Sequence, residues 1–242
     1  MNTLVIASIF KNEAHILKEW IDHYIKWGVQ HFYLVNDFST DSFMDIIKEY
    51  NCITLFHNDI VTTASGRQPM IYNRYFKDIP SKWVSIIDLD EFIWSPEHAD
   101  LKDTLDDTVS QIKIDWLHFG SSGHIIQPKS VVNNFTKRAK FDTSKEYYSY
   151  KSIYQTKDLV SFGVHGHTVK GKTVHYPYND EKPSKLIINH YPLQSFDFFM
   201  TVKATRGDLN NYFDLTGRKR NEAYFKKQDI NEIEDTRLMN LN

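Results

Sequence analysis

Leu4 to Phe10 is an unbroken run of apolar and small residues that stops at polar Lys11-Asn12-Glu13, the pattern of a parallel strand buried on both faces. Behind it, Ile16, Leu17, Trp20, Ile21, Tyr24 and Trp27 recur at spacings of one, three and four. They place one face of a helix over Glu13 to Trp27 against a core, with Gly28 as its stop. His31 to Val35 predicts a second strand. The small polar residues of Asn36-Asp37-Phe38-Ser39-Thr40-Asp41 predict a turn that caps a helix over Asp41 to Tyr50. A third strand is expected at Ile53 to Phe56, a third helix at about Gln68 to Lys77 and a fourth strand at Trp83 to Leu89. This alternation argues for parallel crossover units, an α/β fold whose first 95 residues form a Rossmann-like nucleotide-binding half.

The rhythm weakens after Pro96. Strands are expected at Ile112 to Phe119, Ser130 to Phe135 and Thr173 to His175, and helices at Ser195 to Thr205 and Asn221 to Lys227. No repeat or linker divides the chain, so residues 96–230 are expected to complete a mixed central sheet in the same single domain, with 231–242 as a peripheral tail. The segment Tyr147-Tyr148-Ser149-Tyr150-Lys151 reads as a strand with alternating buried rings, or else as an acceptor or membrane-surface patch.

At 242 residues and 41% hydrophobic content the chain can bury a core. Its 29 basic and 31 acidic residues leave a formal charge of −2, which argues against a nucleic-acid partner. The single cysteine, Cys52, excludes an intramolecular disulfide and every multi-cysteine zinc site. The first residues show neither a signal-peptide pattern nor a membrane span, so the expected location is cytoplasmic, at most against the inner face of a membrane.

Asp88-Leu89-Asp90 closes the apolar run Trp83-Val84-Ser85-Ile86-Ile87, so two carboxylates emerge at the strand edge where open α/β sheets bind ligands. Carboxylate oxygens suit a hard divalent cation, Mg²⁺ or Mn²⁺, which can share its remaining positions with phosphate and water. Asp37 stands at another strand end, where it can accept hydrogen bonds from a base or ribose. Its loss is expected to weaken nucleotide binding with little effect on stability. Ser39 and Asp41 read as caps of the following helix, and Asn12 or Glu13 as a helix cap or a nucleotide contact.

Ser8-Ile9-Phe10-Lys11-Asn12-Glu13, Leu17-Lys18-Glu19-Trp20, His23-Tyr24, Gly28, the 36–41 turn, Lys82-Trp83-Val84 and Asp88-Leu89-Asp90-Glu91-Phe92 follow one another in an order that resembles glycosyltransferases of the GT-A fold, specifically the family 92 type and its family 2 relatives. Phe119-Gly120-Ser121-Ser122-Gly123-His124, Lys151-Ser152-Ile153, Asn189-His190-Tyr191, Gln194-Ser195, Lys203 and Arg206-Gly207 resemble the later landmarks of family 92, with Gln194 where a lysine is expected. The resemblance covers about residues 4 to 207. It implies a single GT-A domain that uses a UDP-sugar, often UDP-galactose, with Mn²⁺ or Mg²⁺, and transfers the sugar with inversion to a saccharide or lipid-linked acceptor.

On that footing Asp88, Asp90 and His190 are the metal candidates, with His165, His167 and His175 competing for the histidine's role. Asn12, Asp37, Gln68, Asp88, Lys203 and Arg206 are the donor-binding candidates, Lys203 and Arg206 sharing one helix face. Gln68 and Tyr72 share a face of the third helix. Trp116, Ser121, Ser122 and His124 are the acceptor candidates, with Phe119 as a second stacking ring. No spacing selects the base among Glu91, Asp115, Asp142, Glu146, Asp158 and His124; His124, Asp142 and Asp158 are retained. Two rivals stay open: a metal-dependent nucleotidyltransferase or phosphohydrolase, which also uses paired aspartates, and a nucleotide- or sugar-binding protein without turnover.

Overall fold

The computed structural model describes residues 2–62, 66–145, 148–182, 184–206 and 220–241. The elements of the first half are β1 (Asn2–Phe10), α1 (Ala14–Lys26), β2 (His31–Asn36), α2 (Phe43–Ile47), β3 (Ile53–His57), α3 (Arg67–Tyr75), β4 (Ser81–Ile86) and β5 (Glu91–Trp94). The second half adds β6 (Gln111–His118), β7 (Tyr150–Gln155), β8 (Thr173–Tyr176) and β9 (Ile187–His190). A broken helix α4 follows, made of Phe196–Phe198, the π-helical turn Phe199–Lys203 and Ala204–Arg206, and then α5 (Glu222–Gln228). No described helix is long and apolar enough to cross a membrane.

The strands form one nine-stranded mixed sheet in the order β3-β2-β1-β4-β7-β6-β9-β5, with β8 beside the first half of β6. Strands β3, β2, β1 and β4 are parallel, so the α/β half expected from the alternation is present. Strand β7 runs antiparallel between β4 and β6; β9 is parallel to β6, and β5 antiparallel to β9. Consequently the C-terminal ends of β1, β2, β4, β6 and β9 and the N-terminal ends of β7 and β5 share one sheet edge.

Both faces of β1 are buried. Leu4 and Ile6 meet the apolar face of α1, whose Ile16, Leu17, Trp20, Ile21 and Tyr24 are fully enclosed. Val5 and Ala7 pack on the other side with Ile71, Tyr72 and Phe76 of α3. Gly28 ends α1 at a positive φ of 84°, and a Cβ there would run into the carboxylate of Asp100.

Several expected elements differ. Residues Ser130 to Phe135 form a helical turn instead of a strand, because the Glu19 carboxylate of α1 accepts hydrogen bonds from Ser130 Oγ and from the N–H groups of Val131 and Val132. The second helix is confined to Phe43–Ile47. Asp41 and Ser39 serve the other helix: Asp41 accepts from Ala14 N at the start of α1 (2.8 Å), and Ser39 Oγ accepts from Asn12 N. Strands β5 and β9, four residues each, were not legible in the sequence. The expected peripheral tail is built into the fold: Ile233–Glu234 pairs with Lys137–Arg138, Asp235 is held by Arg138 and Arg237, and Leu238 is 1% exposed. Glu146, Tyr147 and Gly207 lie outside the described residues.

Two outcomes follow. Leu238→Ala should lower the unfolding free energy by about 2 to 5 kcal/mol, measured by chemical denaturation; unchanged stability would return the tail to the periphery. His167 packs its ring against Tyr154 and Phe162, and burial pushes its pKa down to about 4, with Lys151 adding to the effect. The unfolded chain takes up that proton near 6.5. The neutral imidazole's contribution is therefore complete above about pH 6.5 and is lost at about 1.4 kcal/mol per pH unit as pH falls towards 4. Denaturation midpoints from pH 7.5 to 5 should show this slope, and His167→Asn should reduce it.

Candidate active site

The acidic turn between β4 and β5 is fixed by the aromatic face of α1. Trp20 Nε1 donates to the carbonyls of Asp88 (3.2 Å) and Glu91 (3.1 Å), and Tyr24 Oη donates to Glu91 O (3.0 Å) while accepting from Ile93 N. The three carboxylates of the turn then meet two buried lysines. Lys151, at the start of β7 and 1% exposed, donates to Asp88 Oδ2 at 2.9 Å and lies 3.6 Å from Glu91 Oε2. Lys203, on the π turn of α4 and 2% exposed, donates to Asp90 Oδ2 and to Pro192 O at 2.7 Å.

His190 completes the group. Strand alternation sends Asn189 and Tyr191 into the core, where Asn189 bonds Trp94 and Tyr191, and turns His190 towards the acidic turn. Its Nε2 lies 3.7 Å from Asp90 Oδ1, and ligand atoms of Asp90, Glu91 and His190 all fall within 4.8 Å of one another. Burial pushes the His190 pKa well below the ordinary histidine value, against the pull of Asp90 and with help from His118 and Lys203. The imidazole is therefore neutral, the form that ligates metals. Burial raises the Glu91 pKa well above the usual carboxylate range; Lys151 opposes this, and Asp88 and Asp90 reinforce it. Glu91 Oε1 and His190 Nδ1 are buried without a hydrogen-bond partner. With one ligand atom from each of Asp90, Glu91 and His190 within 4.8 Å of the others, two carboxylates and a neutral imidazole fit a divalent cation. Glu91 replaces Asp88 in the tightest trio, because the Asp88 carboxylate is turned to Lys151.

Around this centre the other candidates are distributed unevenly. Trp116 lies against His190 with ring centroids 4.2 Å apart, and its edge meets His165 at 5.3 Å. With His118, Ala139, Phe141, Asp142 and Tyr148 it lines a shallow pocket. Asp142 thus borders that pocket, with its carboxylate bonded by the hydroxyl and N–H of Ser144, which lower its pKa. Asp158 bonds Ser110 at the opposite end of the sheet, just beyond the pairing of Gln155 with Trp83. Ser121 is taken up by Asp229, Ser122 accepts from Lys137 N, and His124 Nε2 pairs with Asn134 O, so the Gly-Ser-Ser-Gly-His loop is a pinned turn. Asp115 is buried among His175, Tyr148 and the N–H of Tyr178.

A second cluster occupies the same edge at the ends of β1, β2 and β3. Asp37, 1% exposed, accepts both terminal nitrogens of Arg67 (2.9 and 2.6 Å) and Asn58 Nδ2 (2.6 Å). This buried bidentate pair overturns the expectation that Asp37 could be removed without structural cost. Asn12, at φ 53°, accepts from Thr40 N and so ties the first strand-end turn to the second. Gln68 donates to Tyr72 Oη, beside Lys151 and Asp88. Lys203 and Arg206 do not act as a displayed pair: Lys203 is sunk onto Asp90, and Arg206 is the last described residue of α4. Lys151, Arg67 and Asn58 were not assigned roles from the sequence; a lysine preceding a buried run is a faint signal, and Asn58 had none.

The model of glycosyltransferase family 92 matches residues 3–54 and 71–241, leaving out the stretch that holds Arg67 and Gln68. A glycosyltransferase family 92 protein of Oryza sativa subsp. japonica is 22% identical over 213 residues, covering 82% of this chain and 34% of that protein. One of Ricinus communis is 24% identical over 218 residues, covering 81% and 36%. The chain thus spans about a third of the length of these relatives. Among solved structures, S. aureus TarS 1-349 in complex with UDP is 16% identical, with 94% of this chain and 69% of that one covered at a TM-score of 0.46. With the profile running from β1 through the acidic turn and His190 to the C-terminal segment, this chain belongs to glycosyltransferase family 92.

Proposed function

We propose that this chain transfers a sugar, galactose among the candidates, from a UDP-sugar to a saccharide or glycolipid acceptor with inversion, at a site that takes Mn²⁺ or Mg²⁺. The observation that carries the reading is the convergence of Asp88, Asp90, Glu91 and His190 with two buried ammonium groups at the ligand-binding edge of the sheet. A divalent cation bound there supplies charge relief to the leaving diphosphate. Asp90, His190 and Glu91 would hold such a cation, while Lys151 keeps the Asp88 carboxylate at the rim of the site. Lys203 offers a second positive charge for the phosphates. The Asp37–Arg67 pair, with Asn12 and Gln68 nearby on the same edge, supports a nucleoside site beside the cation. Trp116 provides an apolar face next to His190 on which a sugar ring can stack.

Asp90→Asn should lower stability, since it takes the carboxylate charge from the buried Lys203 ammonium, and in the folded protein should lower UDP-dependent Mn²⁺ affinity by at least about tenfold. His190→Ala should lower that affinity likewise, and Asp88→Asn less, because its carboxylate is held by Lys151. Calorimetric titration of Mn²⁺ with UDP present checks these, and parent-like binding by Asp90→Asn and His190→Ala would remove the metal assignment. Release of UDP from a panel of UDP-sugars tests the reaction class; release of pyrophosphate or inorganic phosphate would favour the nucleotidyl or phosphohydrolase chemistry instead.

Asp37→Ala should both weaken UDP binding and cost about 3 to 5 kcal/mol of stability, since it strips a buried guanidinium of its carboxylate. Thermal melting and UDP titration on the folded protein separate the two effects. A variant with parent-like melting and parent-like UDP affinity would deny the pair both roles.

A further inference from the structure

Both lysines of the acidic turn are buried, yet they are held differently. Lys151 projects from the start of β7, where pairing with β6 fixes its backbone, and its ammonium bridges Asp88 and Glu91. Lys203 sits on a π-helical turn, a less regular segment of the kind found at functional sites. Its ammonium donates to groups from different parts of the chain, among them Asp90 Oδ2 and the carbonyl of Pro192 at 2.7 Å. Asp90 is also the carboxylate that faces His190 and belongs to the Asp90–Glu91–His190 trio. A divalent cation ligated by that trio would lie beside the buried Lys203 ammonium, where like charges repel more strongly than in open water.

We infer that Lys203 is a displaceable counter-ion of Asp90: it neutralises the carboxylate while no divalent cation is bound, and cation binding moves the ammonium off Asp90 so that it becomes available to the donor's phosphates. The inference rests on the metal-dependent reading above. The physical basis is that Asp90, 8% exposed, requires a cation at all times, and the structure supplies one from the chain itself. The carbonyl of Pro192 retains the displaced ammonium near the site, since that bond does not depend on Asp90. With Asp90 already paired with Lys203, an added dication makes the centre more positive and turns it into one that attracts a diphosphate. Binding of the cation and of the nucleotide are thereby coupled through one side chain.

The test uses Mn²⁺ alone, titrated into the parent and into Lys203→Met by following the signal of free Mn²⁺ in electron paramagnetic resonance. Without UDP the variant should bind Mn²⁺ roughly tenfold more tightly, because a competing charge has been removed. With UDP present the advantage should disappear. Because the substitution leaves Asp90 without this partner and can impair folding, a second measurement uses the parent: acetylation of individual lysines by a small acylating reagent, read by mass spectrometry. Lys203 should become more reactive as Mn²⁺ saturates, with Lys151 protected throughout. Equal or weaker Mn²⁺ binding by the folded variant, or a Lys203 that stays protected at saturating Mn²⁺, overturns the inference and leaves the metal reading intact. A parent that binds no Mn²⁺ even with UDP overturns both.

Discussion

Three carboxylates within four residues at the end of a buried strand cannot be enclosed unless cations are brought to them, and much of the second half is arranged to do so. Asp88 and Glu91 are served by Lys151, Asp90 by Lys203, and these lysines are 63 and 113 residues from their partners. Lys151 arrives because β7 inserts antiparallel beside β4 with its N-terminal end at the acidic edge. Lys203 arrives because α4 follows β9 and widens into a π turn at that point. The unpaired cost of a buried carboxylate makes these long-range placements part of the stability of the fold as well as part of the site.

The same edge collects the rest through strand direction. A strand parallel to β4 presents its last residues there, and a strand antiparallel to it presents its first. His118 and His190 therefore enter from strand ends and Glu91 and Lys151 from strand starts, although nothing local in their segments points to a common destination. Trp20 and Tyr24 show how packing and chemistry share residues. Their rings fill the core, and their polar atoms fix the backbone carbonyls of Asp88 and Glu91, beside the hydrogen bond that the Glu91 carboxylate accepts from Asp88 N.

At the nucleoside side of the edge, the turns after β1 and β2 are stitched to each other by Asn12, Ser39, Thr40 and Asp41. Asp37 is held from beneath by Arg67 and Asn58. At the far side, Gln228, Asp229 and Asn231 of the C-terminal segment fasten His118 and the 121–122 turn. The candidate site is thus clamped at both ends by polar contacts between distant segments, which leaves Lys203 on its irregular turn as the centre's most adaptable cation.

Local pattern was sufficient for what depends on neighbours in sequence. The apolar period of α1, the buried runs of β1 and β4, the stop at Gly28 and the exit of Asp88 and Asp90 at a strand end were all legible, because helix faces, buried strands and turns impose their periods on a few consecutive residues. His190 was legible only through the order of its neighbours, and Glu91 was noticed but set aside. The tertiary structure alone decided that Lys151 and Lys203 neutralise the acidic turn, that Asp37 is locked to Arg67, that Ser130 to Phe135 is a turn capped by Glu19, and that the C-terminal segment is anchored through Gln228, Asp235 and Leu238. Each of those depends on a polar group finding a partner tens of residues away, and such a pairing follows from strand order and burial, which no short stretch of sequence contains.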